Sequence, residues 1–325
     1  MTEITDPRIA VEPDIGLVDA LAGDGRPVLS LTGLLLVLSG LFAIFQSLTG
    51  HFLPHDVAYL GMTSRDLCGV HECRIVHFMF HDRVSFGGSL IGIGVLYLWL
   101  AAFPLRQGAA WAWWVFLLSG AFGFASFLTY LGYGYLDTWH GVATLVLLPL
   151  FASGLFKTYS ILIAPRSLGC LLRASERLSP TSLYGFGKIC LLAMAACLFV
   201  GGLIIMSVGV TTVFVPQDLS FMRISVDELH AINPRLVPLI AHDRAGFGGG
   251  VACCGAILFF CLWCGYPSRS LWQAVFVTGV VGFGTAIGVH PAIGYVDAAH
   301  LAPACIGAAL FLVGITLTFR RTHLL

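Results

Sequence analysis

Four histidines stand where they can do chemistry. His81 and His242 each open a His-Asp-Arg triplet, in "FHDRVSFGG" at 80–88 and "AHDRAGFGG" at 241–249. His140 and His300 each close a second recurring motif, "GYLDTWH" at 134–140 and "GYVDAAH" at 294–300. The intervals 81–140 and 242–300 are nearly equal, so one geometry is expected twice. Neutral imidazole is a good iron ligand, and two of them fill both axial positions of a haem and leave none open. The spacing therefore predicts His81 paired with His140 and His242 paired with His300. That makes two bis-histidine sites with iron as the metal, each holding a haem of b-type or a related kind.

The elements that must position these residues are membrane helices. The chain of 325 residues is 58% hydrophobic and 10% charged, with a mean hydropathy of +0.89. Soluble domains carry roughly a quarter charged residues, so the reading is an all-α polytopic protein in a lipid bilayer. Net charge is zero and no basic stripe is present, which argues against a nucleic-acid partner. Eight segments are long enough to cross a hydrocarbon core, which takes about 20 helical residues. They lie near 28–53, 75–104, 109–132, 136–158, 186–214, 236–265, 270–292 and 297–319. Residues 1–27 read as an acidic tail, 28–158 and 186–325 as two sets of four helices, and 159–185 as a linker.

The two sets read as an internal duplication. "FLPHD" at 52–56 answers "FVPQD" at 214–218, Arg74 answers Arg235, and "GAFGF" at 120–124 answers "GVVGF" at 279–283. An even number of helices per repeat gives both copies one orientation and an axis along the membrane normal. Arg106, Lys157, Arg166, Arg173, Arg177, Lys188, Arg269, Arg320 and Arg321 collect on one side, predicting it to be cytoplasmic with both termini there. A bacterial inner membrane is the expected location, with the four histidines toward the opposite face.

Six charges fall inside the expected spans, all within the repeated motifs: Asp82, Arg83, Asp137, Asp243, Arg244 and Asp297. Arg83 and Arg244 are candidates to pair with haem propionates. Asp137 and Asp297 precede a histidine by three residues, so on a helix each can accept that ring's N–H and tune the ligand. Asp82 and Asp243 point elsewhere and balance charge. The plain alternative is that aspartates and arginines are ion pairs stitching helices together. Gly87, Gly88, Gly248 and Gly249 make room for a flat macrocycle or, equally, let helices pack closely.

This layout resembles the haem A synthase family, over nearly the whole hydrophobic chain. In that family eight helices form two four-helix halves, with paired histidines on helices 2 and 4 and on 6 and 8. An arginine directly follows the histidine on helices 2 and 6. The resemblance implies a haem-dependent membrane oxidoreductase with cofactor residues at His81, His140, His242, His300, Arg83 and Arg244. Here an aspartate intervenes before each arginine, and Phe78 stands where the family has a glutamate. The family's cysteine pair in the first outer loop has its counterpart in Cys68 and Cys73, the disulfide candidate.

Other function classes stay open on the residues alone. Asp and His can jointly hold non-haem iron, copper or zinc. Asp, Arg and His can form a proton or ion relay in a transporter. Electron transfer with a quinone, or a place among the subunits of a respiratory or photosynthetic complex, fits a haem protein equally. His55, His71 and His77 crowd the first outer loop and read chiefly as solvated. His290, before Pro291, can line a cavity but has no histidine at its repeat position. Cys261 and Cys264 form CxxC inside an apolar helix and read as packing residues.

Overall fold

The computed structural model describes residues 16–128, 135 and 138–323. Those residues are helical, without strands among them. In chain order the helices are α1 (Leu17–Ala22), α2 (Arg26–Leu48), α3 (Pro54–Leu60), α4 (Ser64–Cys68), α5 (Arg74–Ala102), α6 (Ala110–Leu128) and α7 (Thr138–Thr158). They continue as α8 (Leu183–Val210), α9 (Pro216–Met222), α10 (Val226–Ile232), α11 (Leu236–Cys264), α12 (Arg269–Ile293) and α13 (Ala298–His323). Seven of them, α2, α5, α7, α8, α11, α12 and α13, contain stretches long and apolar enough to span a bilayer. Helices suit that solvent because they satisfy every backbone polar group internally. The shorter apolar helix α6 occupies the remaining expected segment. Within the expected tail, α1 is tied down by Asp19, which accepts from Lys157 Nζ at 2.8 Å.

Helices α5 and α11 form the centre. They pack on each other in the same direction, as the contacts Asp82–Arg244 and Gly92–Cys254 show. Around them, α2 lies along α5 and α8 along α11, while α7 packs on α2 and α13 on α8. Helix α12 packs against α5 and α6 against α11. Thus α6 and α12 each lean mainly on the central helix from the other side of the chain, not on the one that precedes them.

Glycine makes the closest crossings possible. A methyl group on Gly87 would stand 2.8 Å from the Gly40 carbonyl of α2, and one on Gly248 would collide with the backbone of Met206 in α8. Gly88 faces Thr285 of α12, and Gly249 faces Ser126 of α6. These four glycines each abut a neighbouring helix, which is the close packing that was one of the two readings open from the sequence.

The loops at the His81 end are built from short capped helices. Pro54 and Pro216 begin α3 and α9, where a missing N–H costs nothing. Two residues later, Asp56 and Asp218 turn back to accept the N–H of Leu53 and Val215. These loops also clasp across the molecule. Arg74 Nη1 donates to the Phe221 carbonyl at 3.0 Å, and Asn233 Nδ2 to the Leu60 carbonyl at 2.8 Å. At the opposite end the linker is tied to α8 and α13: Glu176 accepts from Lys188 at 2.8 Å, Tyr184 at 2.6 Å and Arg321 at 3.1 Å.

Candidate metal centre

The two His-Asp-Arg triplets lie about two turns into the central helices, and their arginines cross over. Arg83 Nε donates to Asp243 at 2.8 Å and its Nη1 to Asp56 at 2.7 Å. Arg244 Nε donates to Asp82 at 3.2 Å, and its Nη1 to Asp218 and to the Val213 carbonyl. Tyrosines complete both sets: Tyr135 Oη donates to Asp56 at 2.6 Å and Tyr295 Oη to Asp218 at 2.8 Å. Each arginine thus joins its own half's loop aspartate to the triplet aspartate of the other half. Burial of Asp56 pushes its carboxyl pKa up, yet the Arg83 guanidinium and the Tyr135 hydroxyl bring it below the ordinary carboxylate range. The arginines are held by protein carboxylates, so the ion-pair alternative describes Arg83 and Arg244 where propionate contacts were expected. Phe78 explains its own place in the sequence: fully buried, its ring lies 4.8 Å under the Arg244 guanidinium.

Around His81 three imidazoles converge. His81 Nε2 stands 3.1 Å from His290 Nε2, and the His81 and His300 ring centroids are 5.6 Å apart. The ligand nitrogens of His81, His290 and His300 all lie within 4.8 Å of one another. His81 and His290 are buried and His300 partly so. Antiparallel packing of α12 on α5 creates the meeting, because Thr285 seated on Gly88 brings His290 level with His81. Behind His81, Asp82 Oδ1 accepts a hydrogen bond from Nδ1–H at 2.9 Å. In that tautomer the His81 Nε2 lone pair is turned toward His290, with the carboxylate–histidine support usual for a metal ligand behind it. Tyr295 stacks on His300 at 4.5 Å.

Placement differs from the sequence expectation in three respects. His300 sits with His81 and His290, where a partnership with His242 was expected; the reason is that α12 packs on α5 of the first half and α13 packs on α12. His242 instead has the Tyr135 ring edge-on at 5.0 Å and Asp243 Oδ1 3.2 Å from its Nδ1. Asp297 accepts the backbone N–H of His300 at 2.7 Å, so it caps α13 and does not touch the ring. The residues beside the imidazole rings are Asp82 and Asp243, one position after each histidine. Asp137 and the side chain of His140 lie outside the described residues, and with them the expected partner of His81. Cys68 and Cys73 are joined in a disulfide with sulfurs 2.08 Å apart, at the same end of the molecule as the histidines.

Asp56, Asp218, Tyr135 and Tyr295 complete the network without having been singled out, although each lies in a motif that repeats. His290 carried only a weak signal, since no histidine answers it in the first half.

The three-histidine group does not fit a haem. Axial imidazoles stand on opposite faces of the macrocycle with nitrogens about 4 Å apart, twice a metal–nitrogen bond of about 2.0–2.1 Å. His81 and His290 approach more closely than that, and His300 joins them as a third. The same bond length gives about 3.3 Å between neighbouring nitrogens of a tetrahedral ion, close to what His81 and His290 adopt. Compared with family models, with curated proteins and with solved structures, the chain gives no match.

Proposed function

We propose that the protein is a duplicated eight-span membrane metalloenzyme that holds one divalent transition ion on His81, His290 and His300. The observation that carries this reading is the convergence of three imidazole nitrogens within 4.8 Å, with Asp82 orienting the first. Imidazole suits zinc, copper and iron. Three neutral ligands leave one position for water or substrate, which is the make-up of a catalytic site and not of a closed structural one. Charge supports it further. Asp56, Asp82, Asp218 and Asp243 outnumber Arg83 and Arg244 by two, all buried or nearly so, and a buried excess of anions is costly unless a cation offsets it. This is the non-haem alternative, and it takes precedence here over haem modification on the geometry of the three rings.

The outward orientation of the histidine end is supported by the Cys68–Cys73 disulfide, since disulfides persist in oxidising compartments. The cluster of arginines in the linker at the other end agrees with it.

The contact between His81 and His290 is also at hydrogen-bond distance, which favours a proton relay as the competing reading. Metal analysis of the detergent-purified protein separates the two. One equivalent of zinc, copper or iron per chain, lost in both His81→Ala and His290→Ala with the helical spectrum intact, is the expected result. Full helicity with no metal bound after reconstitution overturns it in favour of the relay, and a haemochrome showing two haems overturns it in favour of haem.

A further inference from the structure

A cavity of about 300 Å³ opens between α2, α5, α6, α7 and α11, on the side of the molecule away from the three histidines. None of His81, His290 or His300 lines it, so what it holds is independent of the metal proposal. Its size lies at the lower end of small-molecule sites. One end is polar, walled by Asp56, Arg83, Asp243 and Gln46. The body is apolar and aromatic, with Phe86, Leu90, Tyr97, Phe124, Leu147 and Phe151 along it. Two of its lining residues on α2, Ser39 and Phe42, are exposed on the outer face of that helix, where lipid would lie. A molecule dissolved in the bilayer can therefore reach it from the side.

We infer that this cavity binds a neutral, membrane-dissolved ring compound of the quinol class, its hydroxyls at the Asp56–Arg83–Asp243 end and its tail toward α2. Three features select that chemistry. Two carboxylates face one guanidinium at the polar end, so an anionic phosphate headgroup would be repelled, whereas an O–H donor finds carboxylate acceptors. The flat aromatic walls suit a flat ring in offset or edge contact. Gly123 borders open space: a methyl group added there would meet only Cys253 Sγ, at 4.0 Å. A helix residue with nothing but cavity beside it is a place where a larger side chain fills the site without moving the backbone.

That property supplies the test. A benzoquinol with a decyl tail is titrated calorimetrically into the intact protein in detergent, alongside decanoic acid and a short-chain phosphatidylglycerol. The expected result is saturable binding of one quinol per chain and none of either acyl compound. Gly123→Leu should weaken quinol binding by about tenfold or more, because the ligand must displace a packed side chain, while the helical spectrum and the metal content stay those of the wild type. Should Gly123→Leu not fold, Ser39→Trp on the exposed lip of the cavity gives the same readout. Absence of saturable quinol binding, undiminished binding in the variant, or equal competition by decanoic acid overturns the inference, the last by showing only an acyl-chain groove. Loss of metal from the wild type with quinol binding retained would count against the metal proposal alone.

Discussion

Arg83 of α5 donates to Asp243 of α11 at 2.8 Å, while Arg244 of α11 returns the contact to Asp82 of α5 at 3.2 Å. The two copies of one triplet are thus locked by a reciprocal exchange, and each exchange continues to a loop aspartate and a tyrosine. A buried carboxylate stripped of its guanidinium is far costlier than the pair is worth. Arg83→Ala is expected to destabilise the protein by about 3–5 kcal/mol, the usual cost of breaking a buried pair. Arg83→Met combined with Asp56→Asn and Asp243→Asn should recover much of it. Detergent unfolding followed by helical circular dichroism checks this, and a triple variant no more stable than Arg83→Ala would count against charge pairing as the cause.

Asp82 acts on the centre through His81. Asp82→Asn retains a polar partner for His81 Nδ1 and removes the charge. Metal affinity should then fall by about 10- to 100-fold, the usual effect of losing such a supporting carboxylate. Competition with a chromophoric chelator measures it. An affinity equal to wild type would mean that Asp82 serves only Arg244.

Asp297 reads differently from its spacing. As the cap of α13 it should tolerate Asn, which caps equally well, and lose about 1 kcal/mol on replacement by Ala. Neither change should alter metal content. A loss of metal in Asp297→Asn with stability unchanged would restore the ligand-tuning role that its spacing suggested.

Acid should loosen the His81 end through Asp56. Its carboxyl pKa is lower folded than free, so the stability it contributes is fully present above the free value, about 4. That contribution is lost as pH falls through the folded value. The wild type should therefore weaken below about pH 4 more steeply than Asp56→Asn. Unfolding midpoints across that range, with parallel slopes in the two proteins, would refute the assignment.

The glycine crossings can be separated from cofactor space by size. Gly248→Ala drives a methyl group into the Met206 backbone and should cost about 1–3 kcal/mol. Gly282→Ala, with open space beside it, should be neutral or gain about 0.5–1 kcal/mol from the better helix former. Paired melting curves decide; equal effects would mean that the α8–α11 contact is looser than described.

Much of the fold is legible without coordinates because its causes are local. Runs of apolar residues must be helical in a bilayer, since no solvent there completes an open backbone. Pro54 and Asp56, like Pro216 and Asp218, mark capped turns by their own chemistry. Repetition of "HDR" and "GYxDxxH" likewise singles out His81, His242, His300 and the triplet charges as the polar heart of the chain. What the sequence could not decide is which of these meet. The spacing that suggested pairing within a half says nothing of α12 lying on α5, where Thr285 fits over Gly88, or of α5 lying on α11, where the arginines are exchanged. His290 shows the consequence most plainly. Without a counterpart in the first half it looked incidental, and only the tertiary packing brings its nitrogen to 3.1 Å from His81, because distance in space is the sum of many non-local contacts that no single segment records.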